Sequence, residues 1–217
     1  VTSPKMKVHF LDVGQGDSIF IQAPNGKTML IDASTKEYGD TVIAYLNAQN
    51  VKRLDYVVAT HPDADHIGSL PAVVNAFEVG EFINSGKDHT TVTYENLLET
   101  ILVKNIRYTE PKAGDFIALD SAVKVQVLAV DAKNTDNNDA SIVLKLTYNG
   151  VSFLLTGDAS SKIEQQLMQN YDVSATILKA GHHGSSTSSA LSFLQKVKPQ
   201  AVILSYGADN SYGHPHK

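Results

Sequence analysis

Asn149-Gly150 stands between two strand-length apolar runs, "SIVLKLTY" (141–148) and "VSFLLTG" (151–157). Two residues that accept positive φ, flanked in this way, close a two-residue hairpin, and a hairpin makes its strands antiparallel. That junction disfavours a purely parallel, doubly wound sheet. The first third of the chain repeats the message. "KVHFLDV" (7–13) and "SIFIQA" (18–23) flank "GQGD", and "PNG" (24–26) leads into "KTMLIDA" (27–33). Both junctions read as further antiparallel hairpins.

Between and after these strands come helical patterns. "YGDTVIAYLNAQN" (38–50) sets Val42, Ile43 and Leu46 at helical spacing, and "LDYVVAT" (54–60) reads as a buried strand followed by a helix over 68–77. A less regular stretch (84–105) ends in a helix with Thr93 as its expected N-cap. Strands are expected again at 116–119, 122–130, 141–148, 151–157, 175–180 and 201–206, with helices near 160–170 and 188–197. Two β-rich halves, each with helices outside, fit a mixed α/β class: a four-layer αββα sandwich with antiparallel hairpins.

The composition, 42% hydrophobic and 19% charged over 217 residues, suits one globular domain with a large core. A net charge of −5 gives no electrostatic case for a broad nucleic-acid or anionic-membrane face. No apolar run reaches the length of a membrane span, so no integral membrane segment is expected in this chain. With no cysteine, any metal site must be built from histidine and carboxylate.

"HPDADH" (61–66) supplies both in quantity. His61 and Asp63 lie two apart and share a face in extended chain, and a helix opening at 67 would swing Asp65 and His66 toward a second position. Packing needs none of these residues and their like charges repel, so the turn points to metal binding. Asp32, Asp158 and His182-His183 also follow apolar strands, where distant segments can converge on one rim. Each alone would be an ordinary turn former or solvated side chain. "GQGD" alone reads as a tight turn, since it lacks the lysine of a phosphate loop. His9, mid-strand, reads as a packed or hydrogen-bonded residue, and His89 as a loop residue.

"THPDADHIG" resembles the His-x-His-x-Asp-His motif of the metallo-β-lactamase superfamily. "FLDVGQGDS" (10–18), "LLTGD" (154–158), "LKAGHHGS" (178–185) and "YGHPH" (212–216) are similar to one branch, the hydrolase domain of ComEC/Rec2 competence proteins. The resemblance implies one αββα domain over 1–217, lacking a short C-terminal element, with a dinuclear metal site between the sheets. It implies His61 and Asp63 on the first ion, Asp65, His66 and His182 on the second, and Asp158 bridging, with Asp32 bracing the turn from behind. His183 is either a ligand or a substrate contact; His214 and Ser185 would meet the substrate. Asp63 departs from the superfamily's middle histidine. The histidine usual near 141 is also missing from "NTDNNDAS" (134–141), where Asn138 and Asp139 are the nearest candidates. A first site so poor in nitrogen favours Mn²⁺ relative to a three-histidine zinc site.

The function expected is metal-dependent phosphodiester hydrolysis with two divalent ions, Zn²⁺ or Mn²⁺, and Asp65, Asp158, His183 and His214 in catalytic roles. The implied substrate is DNA, as a single strand. Alternatives are a phosphorylcholine esterase acting on cell-wall teichoic acid and a catalytically silent metal-binding module. An extracellular or cell-surface bacterial location goes with the resemblance.

Overall fold

The computed structural model describes residues 5–216. Six strands form the first sheet: β1 (Lys7–Phe10), β2 (Ile19–Gln22), β3 (Thr28–Ile31), β4 (Arg53–Ala59), β5 (Glu78–Asn84) and β6 (Arg107–Thr109), side by side in chain order. β1, β2 and β3 pair antiparallel, and β3 to β6 pair parallel. The parallel part needs crossovers, which α1 (Gly39–Ala48), α2 (Ala64–Ile67), α3 (Leu70–Ala76) and α4 (Val92–Val103) supply. The second sheet runs β7 (Lys124–Ala129), β8 (Val143–Tyr148), β9 (Val151–Leu155), β10 (Ile177–Lys179) and β11 (Ala201–Ile203). Here β7, β8 and β9 are antiparallel and β9 to β11 parallel, joined through α5 (Ser161–Asn170) and α6 (Leu191–Val197).

Side-chain alternation makes the layers. In the first sheet Phe20, Leu30 and Val57 face outward onto Val42, Leu46 and Leu70 of the helices. Their neighbours Ile19, Ile21, Met29, Ile31 and Val58 face inward onto Val125, Val127, Leu144 and Leu146 of the second sheet. Leu154 and Leu178 turn the other way, to Ile163, Leu167 and Phe193 of α5 and α6. The molecule is therefore the four-layer αββα sandwich, with strands apolar on both faces wherever both faces are covered. Each large side chain so enclosed contributes about 1.5–3 kcal/mol.

The hairpin at Asn149-Gly150 forms as expected, with both residues at positive φ (48° and 79°). Several boundaries differ. Thr91, not Thr93, caps α4, its hydroxyl accepting from the Tyr94 amide. β5 and β6 lie where no strand is expected; β5 alternates glutamate, glycine and valine at its start, which hides its apolar end "FIN". Residues 116–119 make only an isolated bridge, Phe116 to Gln126, where the segment lies beside β7, the Ile117 amide donating to the Val125 carbonyl and the Val127 amide to the Asp115 carbonyl. The helix expected over 188–197 begins at Leu191, and the last strand stops at Ile203 rather than 206. His9 is hydrogen-bonded through Nδ1 to the Tyr45 hydroxyl at 2.8 Å.

Candidate metal centre

The carboxyl ends of β3, β4, β9 and β10 meet at one rim, where ligand sites of parallel sheets form. β3 delivers Asp32, β4 delivers the 61–66 turn, β9 delivers Asp158 and β10 delivers the histidine pair. Three of these residues, Asp32, His182 and His183, are non-glycine residues in left-handed backbone (φ 56°, 46° and 55°). Such conformations cost about 1–3 kcal/mol each and persist where surrounding bonds fix them.

Asp32 shows how they are fixed. It is buried, and its Oδ1 accepts from the Thr60 amide at 2.8 Å while Oδ2 accepts from the Thr60 hydroxyl at 2.6 Å. Oδ2 also meets His66 Nδ1 at 2.8 Å, where the ring nitrogen must be the donor. His183 Nδ1 lies 2.9 Å from the Ser205 carbonyl, which can only accept. The Thr60 hydroxyl, its proton committed to Asp32, accepts from His61 Nδ1 at 3.1 Å. All three rings thus carry a proton on Nδ1 and turn Nε2 toward the site, the orientation of metal-bound histidine.

Those Nε2 atoms converge on one oxygen. Asp158 Oδ2 is 3.1 Å from His183 Nε2, 3.2 Å from His66 Nε2 and 4.0 Å from His61 Nε2. His66 and His183 face each other nitrogen to nitrogen at 3.3 Å, and Asp65 Oδ2 is 3.2 Å from His183 Nε2. Donors of one tetrahedral dication at about 2.1 Å from the ion stand roughly 3.4 Å apart. Asp65, His66, Asp158 and His183 form one such group, with all donor atoms within 4.8 Å of one another. Beside it, His61 Nε2 is buried without a hydrogen-bond partner, 3.7 Å from Asp63 Oδ2. Imidazole Nε2 atoms and carboxylates crowded together call for positive charge, and the donor set fits divalent ions.

The electrostatics show the same demand for positive charge around Asp158. Burial alone would lower His66 and His183, but the Asp158 carboxylate outweighs it, raising His66 well above its ordinary range and His183 to about 9. Burial would raise Asp158, yet His66, His183 and Lys179 hold it well below the usual carboxylate range. His61 is lowered well below its ordinary value by burial and by His66 beside it, so it stays neutral.

The structure separates the histidine pair. His183 is buried and completes the four-donor group, whereas His182 keeps 26% of its side chain exposed, with Nε2 3.9 Å from Asp158 Oδ2 and Nδ1 bonded to Thr187. Two consecutive left-handed residues bring both Nε2 atoms toward Asp158 Oδ2 yet bury one ring and leave the other at the opening, which sequence spacing does not reveal. His214 is nearly buried; its ring lies 5.5 Å from that of His182, and Nδ1 lacks a partner. Ser185 bonds within its own turn, to the His182 carbonyl and to Thr187, with no contact to the donor group. Asp139 accepts from the Ser160 amide at the start of α5, away from the donors. Near the place of the missing histidine, Asn137 Nδ2 donates to Asp63 Oδ1 at 2.8 Å and the Ser141 hydroxyl lies 3.3 Å from His61 Nδ1.

Two charged residues escape sequence reasoning: Asp17 and Lys179, both buried. "GQGD" is more than a turn. A Cβ at Gly16 would run into the Asp65 carbonyl, and the Asp17 amide donates to that same carbonyl at 3.2 Å. Glycine therefore lets this loop lie against the ligand turn, and Asp17 then reaches Lys179 Nζ at 2.5 Å. The available signal was Lys179 itself, a charge closing the apolar run "ATILKA".

Comparison with known proteins agrees with this geometry. ComE operon protein 3 of Bacillus subtilis (strain 168) is 30% identical over 240 residues, covering 99% of this chain and 30% of its own length. Competence protein ComA of Neisseria gonorrhoeae is 32% identical over 94% of this chain and 27% of its own. The chain spans less than a third of either relative. Among solved structures, the metallo-beta-lactamase fold protein YhfI from Bacillus subtilis superposes with TM-score 0.61 at 13% identity, covering 96% of this chain and 89% of that one. A diphosphatase from the PhnP family does so with TM-score 0.55 at 20% identity, over 94% and 76%. Fold and clustered donors together point to divalent-metal binding. The superfamily profile matches residues 11–208, and this chain belongs to the metallo-beta-lactamase superfamily.

Proposed function

We propose that the chain is a metal-dependent phosphodiesterase that uses two divalent ions, Mn²⁺ or Zn²⁺, and acts on DNA as a single strand. The observation that carries this reading is the convergence of imidazole Nε2 atoms, each ring anchored through Nδ1, on Asp158 Oδ2, with His61 Nε2 left unpartnered beside it. Asp65, His66, His183 and Asp158 would hold one ion; His61, Asp63 and Asp158 would hold the other. Bound ions of this kind activate water and polarise a phosphoryl oxygen.

The chain's own residues supply the rest. Asp63, Asp65 and His182 keep 35%, 28% and 26% of their side chains exposed, so substrate approaches from that side. Asp65 is the exposed carboxylate of the buried group and accepts a proton from the attacking water. His182 flanks that opening with the His214 ring 5.5 Å away, and the two would donate to phosphoryl oxygens, the electrostatic role that dominates such reactions. With a net charge of −5, attraction for a polyanion falls to the metal-loaded rim. The competence-named relatives and the PhnP-family diphosphatase favour phosphate chemistry over amide or thioester hydrolysis. With the reading goes a place outside a bacterial cell or at its surface.

The test is Mn²⁺-dependent turnover of bis(p-nitrophenyl) phosphate, expected in the intact protein and absent in Asp65→Ala. A single-stranded oligonucleotide should be cleaved under the same conditions. Turnover confined to a phosphorylcholine ester would redirect the substrate to cell-wall polymer. A metal-loaded protein inert toward all three would be a silent binding module.

A further inference from the structure

Lys179 ends β10 with its side chain fully buried, beneath the donor group rather than within it. Leu178 packs among the outer helices, so alternation turns Lys179 inward at the rim between the sheets. Nζ is 2.5 Å from Asp17 Oδ2, 3.0 Å from the Gly157 carbonyl and 3.6 Å from Asp158 Oδ1. The four imidazoles around Asp158 all face its other oxygen, Oδ2, at 3.1 to 4.0 Å. The two oxygens of this carboxylate thus differ: Oδ2 faces the imidazole nitrogens, while Oδ1 has no hydrogen-bond partner and the ammonium 3.6 Å away.

We propose that Lys179 is a positioning residue for the metal pair, its charge drawing the Oδ1 side of Asp158 so that Oδ2 stays turned to the imidazoles that would hold the ions. The inference rests on the dinuclear reading above. Burying an ammonium costs several kcal/mol, and an apolar side chain of the same length would fill the space without that cost. The position makes sense if the charge has work there. Asp17, Asp32 and His66 form a second acidic group beneath the first, its donor atoms also within 4.8 Å of one another. The ammonium, 2.5 Å from Asp17, supplies that layer with a cation belonging to the chain. The charge count supports this: Asp17, Asp32, Asp63, Asp65 and Asp158 are balanced by two dications together with Lys179.

A purely structural lysine would only neutralise Asp17, and paired substitutions separate the two roles. Asp17→Asn/Lys179→Met and Asp17→Asn/Lys179→Gln remove both charges of the pair together, leaving no orphaned ion from it. The readouts are Mn²⁺ stoichiometry and the electron paramagnetic resonance spectrum of the loaded protein, alongside its thermal melt. The unsubstituted chain should hold two ions with an exchange-coupled spectrum. Both double variants should melt cooperatively and keep one ion, with the second weakened at least tenfold and the coupled signal replaced by that of isolated Mn²⁺. A double variant that binds two ions with the coupled spectrum overturns the proposal and leaves Lys179 as Asp17's counter-ion. Failure of even the Lys179→Gln pair to fold also counts against it, making Lys179 a determinant of the fold. If the unsubstituted chain holds fewer than two ions, the dinuclear reading itself fails, a result distinct from either.

Discussion

The turn from His61 to His66 sends its donors to two unlike sides of Asp158. On one side His66 and His183 stand 3.2 and 3.1 Å from Asp158 with Asp65 3.2 Å from His183, and each imidazole there is pinned from behind, by Asp32 or by the Ser205 carbonyl. On the other side His61 stands 3.7 Å from Asp63 and 4.0 Å from Asp158, and Asp63 is a third exposed and tied to Asn137. One side is close-packed around two imidazoles; the other is wider and has one. Sharing a sequence motif therefore does not mean sharing an affinity. A prebuilt donor set has little left to order when its ion arrives, whereas the open one must draw its ligands in.

The sharpest way to break the comparison is Asp158→Asn, which strips the oxygen both positions need. Desalted protein should fall from two ions per chain to fewer than one by elemental analysis, and turnover of bis(p-nitrophenyl) phosphate should fall to background. Retention of one ion would mean that the prebuilt side stands without the shared oxygen.

Next in size are the two histidine variants that test the asymmetry directly. His183→Ala should weaken the tight ion by more than the roughly 10–100-fold that loss of an outer-shell partner costs. His61→Ala should leave the tight ion in place and remove only the weaker one. Calorimetric Mn²⁺ titration distinguishes them by which of two binding phases disappears, and an identical loss in both variants would end the claim of unlike positions.

Asp63→His asks a milder question. It restores nitrogen to the open side and shifts preference from Mn²⁺ toward Zn²⁺, on the order of tenfold, since imidazole suits zinc better than a carboxylate does. Competition between the two metals, measured by elemental analysis at fixed free concentrations, reads the shift. An unchanged ratio would mean that Asp63 is held by Asn137 rather than by a metal.

How much of this was legible beforehand follows from the same contrast. The sandwich was readable because its signals are local: alternation within strands and positive-φ residues at Asn149-Gly150. The ligand turn was readable because six residues carry four donors. What escaped depends on folding. His182 and His183 differ only through two left-handed backbone angles, and no spacing rule says which one turns inward. Asp17 and Lys179 lie 162 positions apart, and only close packing of the glycine loop against the turn brings them together. β5 and β6 were missed because their parallel pairing is set by crossover helices rather than by a turn signature.

The smallest expected effect concerns the scaffold behind the prebuilt side. Glu164 on α5 is buried, and its two oxygens accept from the Ser189 and Ala190 amides at 2.5 and 3.0 Å, fastening the loop that follows His183. Glu164→Ala leaves two partly buried amides without acceptors. The loss should be about 1 kcal/mol, the low end for unsatisfied groups because water reaches the loop in part. For a chain of this length that lowers Tm by about 2–4 °C. Burial raises the Glu164 carboxyl above its ordinary 4.5, outweighing the pull of the two amides. The folded state then binds this proton more tightly than the unfolded chain, so its stabilising effect is full below 4.5 and declines as pH rises through the raised value. The gap between the two proteins should therefore be widest in acid and narrow toward neutrality in thermal melts. Metal stoichiometry should be unchanged at neutral pH, because the ring of His183 keeps its Ser205 anchor. Loss of the tight ion in this variant would show that the loop, and not the ring's own hydrogen bond, sets the geometry of the prebuilt side.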